Sequence, residues 1–189
     1  MSRPILNTSR IELSPMTSEH LPLLHRLDSD PEVMRFILGR ARTPEEIDAF
    51  WRPKCADAIA DAAGLGWWVG FHDGDFLGWW DLSPHTAEDA DAVTAAEIGW
   101  RLLRSQWRRG FASEGARALL GHAFETLGLQ LVWAETMSVN VASRGVMRAV
   151  GMRHVRTEVR HWEYPLPGSD RGEVVYEITQ EDWNAADDR

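Results

Sequence analysis

One stretch constrains the possible folds more than any other: Glu97-Ile-Gly-Trp-Arg-Leu-Leu-Arg-Ser-Gln-Trp-Arg-Arg-Gly-Phe-Ala-Ser-Glu-Gly115. It reads as a strand, a short basic turn, and a glycine that opens a helix. Such a turn is a ready anion site, because the unpaired N–H groups of the first helical turn and the positive end of the helix dipole converge on whatever sits there. Gly110 permits close approach, Ala112 and Ser113 keep the first turn free of bulk, and Arg108 and Arg109 can make charge-assisted contacts to phosphate oxygens. From Ile98 to Ser113 there are four arginines and no acid, although the chain carries a formal net charge of -9. Standing alone, the turn would favour an ordinary helix start with two solvated arginines.

The rest of the chain sets the bounds. A sequence of 189 residues with 44% hydrophobic content is long enough for one well-buried α/β core and short for two, so a single domain over residues 1–189 is expected. The roughly 20-residue apolar run of a membrane span is absent, as is the apolar stretch of a signal peptide near the N-terminus, so a cytoplasmic location away from membranes is expected. The acidic balance argues against a nucleic-acid partner and suits a cationic one. Cys55 is the sole cysteine, with no sequence mark of a nucleophile, and the seven histidines lack metal-ligand spacing. No metal is assigned.

Taken in order, the pattern predicts an edge strand over 9–13, a capped helix over 18–27, a short helix over 31–37 and a helix from Thr43 towards 63. Two aromatic strands, 65–72 and 76–82, flank Asp73-Gly74, which suits a tight hairpin. A solvated acidic loop over 83–94 leads into a strand at 95–103. The helix from Gly110 runs to a stop at Gly128, followed by a strand at 130–136, a helix at 140–150 capped by Asn140, and strands at 152–165 and 173–179.

The segment Asn140-Val-Ala-Ser-Arg-Gly-Val-Met-Arg-Ala-Val-Gly-Met152 repeats the theme of the basic turn. From Ser138 to Thr157 it contains Arg144, Arg148, Arg153 and Arg156 and no acid, so two basic helix starts are expected to converge on one polyanion. Glu97-Ile-Gly-Trp, Trp107-Arg-Arg-Gly-Phe-Ala-Ser-Glu-Gly, Asn140-x-x-Ser143 and Gly151-Met152, in this order, resemble the GNAT superfamily of acyl-CoA-dependent N-acyltransferases, most of all its RimJ/RimL-like branch. Trp107, where the general pattern has Gln or Arg, is usual in that branch.

The resemblance implies an α/β (α+β) fold: a mixed, mostly antiparallel sheet flanked by helices and splayed between strands four and five, here 95–103 and 130–136. It implies acetyl-CoA as co-substrate in that gap, with its pyrophosphate at Arg108, Arg109, Gly110, Phe111, Ala112 and Ser113. The pantetheine arm would meet Leu102, Leu103, Arg104 and Asn140. The acceptor would be an amine, either a peptide N-terminus or a small molecule, and a homodimer is compatible with it. A tyrosine general acid seven residues after Asn140 is excluded, because Met147 stands there. That departure leaves a non-catalytic acyl-CoA-binding module as the alternative.

Making an amide from a thioester needs a neutral amine, and a lysine-like amine has a pKa of about 10, so a base is required. Glu97, on the strand where the superfamily often carries a base, is the first candidate and Asp81 the second. Ser143 matches the serine proposed in RimL-like enzymes to protonate the departing thiolate, and a structural serine is the competing reading. A backbone N–H near Leu102 is the expected oxyanion donor. Residues 31–63 and 161–171 should frame the acceptor pocket, with Trp79, Trp80, Trp100 and Trp162 as candidate walls. Successive strand residues face opposite ways, so Trp79 and Trp80 cannot both face the acceptor.

Overall fold

The computed structural model describes residues 3–85, 93–160 and 163–187. Eight strands form one sheet in the order β1-β2-β3-β4-β5-β6-β8-β7. They are β1 (Leu6–Asn7), β2 (Glu12–Pro15), β3 (Gly66–His72), β4 (Asp75–His85), β5 (Ala95–Leu102), β6 (Leu131–Met137), β7 (Arg153–Glu158) and β8 (Glu173–Thr179). Every neighbouring pair is antiparallel except β5 and β6, which run parallel and pair only from Ala95↔Leu131 to Glu97↔Trp133. Past Glu97 the two strands part. β5 stays paired with β4 and β6 with β8 on their far sides, so beyond Glu97 and Trp133 each strand presents an unpaired edge to the gap. The sheet thus opens between the two strands expected to splay, numbered one higher because Leu6–Asn7 precedes them.

Alternation along the strands divides the buried residues between two faces. One face holds Trp68, Trp80, Leu82, Ile98, Leu102, Val132 and Ala134 against α4 (Phe111–Gly121) and α5 (Val141–Ala149). The other holds Val69, Phe76 and Trp79 against α1 (Leu21–Asp28) and α2 (Pro44–Cys55). The hairpin between β3 and β4 turns at Asp73 and Gly74, with φ of 50° and 82°, the left-handed pair that a two-residue turn requires.

Several local expectations changed. Residues 8–11 form a turn, not a strand: the Thr8 hydroxyl accepts from the N–H of Ile11 (2.8 Å) and donates to Glu114 on α4 (2.6 Å), offering the backbone an alternative to the ladder. Residues 31–38 wind as successive turns, because the Met34 carbonyl collects the N–H groups of Ile37, Leu38 and Gly39 instead of propagating a helix. The helix begun by the Thr43–Glu46 capping box ends after Pro53, and Asp57 caps a separate α3 (Ala58–Ala62). β4 runs on to His85, and the remainder of the expected acidic loop, residues 86–92, lies outside the described residues. β7 stops at Glu158, short of 165. The helix α6 (Gln180–Asp187) was not expected, although Thr179 and Asp182 form a reciprocal cap that spells its start.

Candidate active site

The basic turn is built from the sheet outward. The Trp80 ring lies fully buried between two glycines: a Cβ at Gly70 would fall 2.4 Å from it and one at Gly115 2.5 Å from it. Its indole N–H donates to the Ala112 carbonyl (3.1 Å), so the start of α4 is fastened to the centre of the sheet. Trp107 donates its indole N–H to the Leu102 carbonyl (2.9 Å), fixing the far side of the turn. Arg108 and Gly110 both adopt positive φ (58° and 83°), which turns the chain into the helix. Gly110 supplies no side-chain cap, and the earliest helical N–H to find a carbonyl is that of Glu114, on Gly110 (3.0 Å). The N–H groups of Phe111, Ala112 and Ser113 therefore head the helix without a carbonyl inside it.

The arginines of the turn are not equivalent. Arg109 bonds Gln106 (2.6 Å) and stacks on Phe111 at 4.9 Å, with Arg10 also over that ring at 4.8 Å. Phe111 is buried in the core, so it offers the turn its backbone and not its side chain. Arg104 and Arg108 are exposed. Arg104 lines a cleft of about 540 Å³ with Arg26, Asp30, Leu103 and Ser105, at the end of β5.

The phase of the β4–β5 ladder decides what the gap offers. The Leu103 N–H bonds the Leu77 carbonyl (2.8 Å), which makes Gly78↔Leu102 a non-hydrogen-bonded pair. The peptide groups of Leu102, and by alternation those of Trp100 and Ile98, point away from β4 into the gap. The Leu102 carbonyl is taken by Trp107; its N–H keeps the direction expected of an oxyanion donor.

Glu97 and Asp81 share the face covered by α1 and α2. Asp81 lies opposite Gly99, and Glu97 opposite Ser83, so the two carboxylates are diagonal neighbours about 7–8 Å apart at their Cα atoms. Gly99 makes the room: a Cβ there would come within 2.4 Å of Asp81 Oδ1. The Ser83 hydroxyl donates to Asp81 Oδ2 at 2.6 Å. Burial pushes the Asp81 carboxyl up to about 7, opposed by the Ser83 hydrogen bond and reinforced by repulsion from Glu97. Glu97 is half-buried, and burial followed by repulsion from Glu135 raises it as well. Further along this face Arg160 bridges Glu135 (2.7 and 2.8 Å), Glu158 (3.1 Å) and Glu173 (2.7 Å). Glu173 is pushed up to about 7, first by burial and then by Glu135.

A buried carboxylate ties this face to the helices. Asp28, at the end of α1 and wholly inaccessible, accepts from Arg42 (3.1 Å), from the Trp51 indole (2.9 Å) and from Arg101 (2.7 Å). Arg101 lies on β5 two residues beyond Gly99, stacked 4.9 Å from Trp79. Nothing in the spacing of Asp28, Arg42 and Arg101 announces this cluster. Its one sequence signal is an aspartate among the apolar positions of α1.

The remaining expected residues fall as follows. Trp80 belongs to the α4 face, and Trp100, its cross-strand partner, is half-buried on that same side, so neither of these two candidate walls shares the face of Glu97, whereas Asp81 does. Trp79 takes that side, in edge contact with Trp51 and Trp67. Trp162 lies outside the described residues. Asn140 caps α5, its oxygen accepting from the Ser143 N–H (3.2 Å) and its amide donating to Thr136 (3.0 Å). Both ends of the carboxamide are thus engaged within the chain. Ser143 is half-buried in the first turn of α5. Three of the four arginines of the second basic segment are engaged away from the turn: Arg144 bonds the Ser138 carbonyl, Arg153 bonds Asp182, and Arg156, on the outer strand, pairs with Glu158 and Glu177, while Arg148 is exposed. Met147 is buried in the core, where it packs rather than reaches the gap. No group of three or more His, Cys, Asp or Glu side chains able to hold a metal occurs among the described residues.

Comparison with known proteins agrees with this architecture. The family model described as an acetyltransferase (GNAT) domain matches residues 10–153. The FsC-acetyl coenzyme A-N(2)-transacetylase of Aspergillus fumigatus is 42% identical over 188 residues, covering 96% of this chain and 79% of that protein. Among solved structures, the spermidine N-acetyltransferase of Vibrio cholerae, in complex with CoA and spermine, superposes with a TM-score of 0.74 at 16% identity, covering 94% of this chain and 99% of that one. RimL, a ribosomal L7/L12 α-N-protein acetyltransferase in complex with coenzyme A, gives a TM-score of 0.75 at 18% identity over 95% of this chain and 98% of that one. At these identities the two structures share the fold, and the RimL likeness says no more than that. No helix among the described residues is long and apolar enough to cross a membrane.

Proposed function

The chain belongs to the GNAT acetyltransferase family and is an N-acetyltransferase; from that premise we propose that it transfers acetyl from acetyl-CoA to a primary amine by direct attack, with both substrates held in one site. The observation that carries this reading is the diagonal carboxylate pair of Asp81 on β4 and Glu97 on β5, both raised in pKa by burial on the sheet face beneath α1 and α2. A base near neutral pKa is what removing a proton from an alkylammonium at physiological pH requires.

The residues present fit coenzyme A. Three N–H groups at the head of α4, with the exposed Arg108 beside them, suit a pyrophosphate, and the outward peptide groups of Trp100 and Leu102 suit the amides of an extended arm. Bound there, the co-substrate supplies an activated acetyl thioester. Glu97 takes the proton from the incoming amine. Asp81 is the second carboxylate of the pair, raised in part by the charge of Glu97 and held in place by Ser83. The Leu102 N–H, which points into the gap, is the donor assigned to the developing oxyanion, and Ser143 is the group assigned to return a proton to the sulfur. Much of the acceleration then comes from orientation, with no covalent enzyme intermediate.

The acceptor class follows the charge of this face: an aliphatic amine, small or at a peptide N-terminus. The relatives named above act on a spermidine and on a ribosomal protein, and the fungal one is an N(2)-transacetylase. Thiol release from acetyl-CoA across a panel of polyamines, amino acids and peptides is expected to show saturable turnover with at least one amine. Tight CoA binding, seen as a raised Tm, without turnover on any of them would instead favour the non-catalytic binding module.

A further inference from the structure

Lys54 is the single lysine in this chain; every other member of its 20 Lys and Arg residues is an arginine. Arginine stays protonated and is no acyl acceptor at neutral pH, so Lys54 carries the one side-chain primary amine. It stands in the last turn of α2, half-buried, on the face of the sheet that carries Asp81 and Glu97. Its Nζ lies 4.0 Å from the centre of the Phe50 ring and 5.8 Å from that of Trp67. Trp67 is the cross-strand partner of Asp81, and Asp81 that of Gly99, so the ring that the amine approaches belongs to the strand row that leads across β4 to β5, two strand spacings or about 10 Å between the backbones of Trp67 and Gly99. The positive charge of Lys54 is close enough to Asp81 to oppose the rise of its pKa. Two aromatic faces and a nearby carboxylate are what a site for an alkylammonium needs, and here the chain's own ammonium fills it.

We propose that Lys54 is a self-acetylation site: in the absence of an amine acceptor the chain transfers acetyl from acetyl-CoA to Lys54 Nζ. The inference rests on the acetyltransferase reading and on the same carboxylates. Lys54 gives one proton to the carboxylate and so becomes neutral; its nitrogen lone pair forms the N–C bond to the acetyl carbon as the C–S bond breaks. The second proton leaves the nitrogen, the thiolate is protonated to CoA–SH, and the net products are acetyl-lysine, CoA–SH and one proton released to water. Acetylation deletes the charge over Phe50 and Trp67 and places an acetamide on the acceptor face. The modified chain is therefore slowed towards external amines.

The test incubates the full chain with acetyl-CoA, alone and with a large excess of an amine that turns over, and reads intact mass and peptide maps. One acetyl group per chain is expected, mapped to Lys54 and suppressed by the amine. It should form about 10²-fold or more slowly in Glu97→Gln, and not at all at that position in Lys54→Arg. Wild-type turnover should decline during preincubation in step with the acetylated fraction, while Lys54→Arg keeps its own starting rate. Turnover of external amines with Lys54 unmodified overturns this inference and leaves the acetyltransferase reading intact. Acetylation no faster than in the heat-unfolded chain, or equal in Glu97→Gln, also overturns it as plain thioester chemistry. Failure of every external amine together with such a background rate overturns the reading beneath it.

Discussion

Replacing Asp28 by alanine is expected to destabilise the fold by about 3–5 kcal/mol, the range for breaking a buried ion pair from one side. The carboxylate is inaccessible and is the common acceptor of two guanidinium groups and one indole, drawn from the segment after α1, from α2 and from β5. Removing it strands Arg42 and Arg101, whose side chains are 8% and 10% exposed, without their shared counter-charge. Burial already pulls the Arg101 guanidinium below its ordinary value, and Asp28 is what holds it charged. Against a total stability of about 5–15 kcal/mol for an ordinary domain, the loss is large. Urea unfolding should show a lower midpoint with little change in slope. Asp28→Asn, which keeps one acceptor oxygen without the charge, should fall between. A loss under about 1 kcal/mol in the alanine variant would mean that the arginines find other partners, and that the helices are not held to β5 through this point.

Asp81→Asn is expected to stabilise the protein above neutrality while impairing it. An ordinary aspartate has a pKa of 3.8, whereas in the fold Asp81 is raised to about 7. Below 3.8 both states are protonated and the group contributes nothing to the pH dependence. Between 3.8 and about 7 the folded chain holds a proton that the unfolded chain releases, so stability falls as pH rises, and above 7 the full penalty of a buried charge remains. Asparagine never ionises and still offers an oxygen to Ser83. The variant should therefore unfold at nearly the wild-type temperature at pH 4 and at a higher one at pH 8, where its stability exceeds that of the wild type by on the order of a few kcal/mol. Its rate at pH 8 should resemble that of the wild type well below pH 7, where Asp81 is uncharged as asparagine is. Equal melting temperatures at both pH values would show that Asp81 is not held protonated.

Why the fold was so largely legible is visible at particular residues. The Asp73-Gly74 turn, the Thr43–Glu46 capping box, Asn140 and Gly110 each impose one local geometry that short-range chemistry dictates, and each formed as expected. Failures arose where long-range partners decided. Residues 9–13 alternate as a strand should, yet Glu114, more than a hundred positions away, gathers the Thr8 hydroxyl and the Arg10 N–H and holds a turn. The arginines of 144–156 look like a second half of an anion site in sequence, but Arg153 and Arg156 are paired by Asp182, Glu177 and Glu158, two of which lie on later elements, and Arg144 turns back to the Ser138 carbonyl. In the candidate site, the strand–turn–helix geometry at Gly110 and the place of Glu97 on β5 could be read directly. Which of Trp79 and Trp80 faces the acceptor could not, since it depends on Gly70 and Gly115 leaving space for one ring. The Asp28 cluster was hidden for the same reason, its members being separated by up to 73 positions.

The most direct test is the pH dependence of kcat/KM for one amine acceptor, measured for the wild type and for Glu97→Gln, with CoA affinity determined alongside. The account predicts a wild-type rate that rises through neutrality as the carboxylate pair ionises, a variant slower by about 10²–10⁴-fold with a flattened profile, and the same CoA Kd in both. Identical profiles at equal rates would contradict it and remove Glu97 from the chemistry.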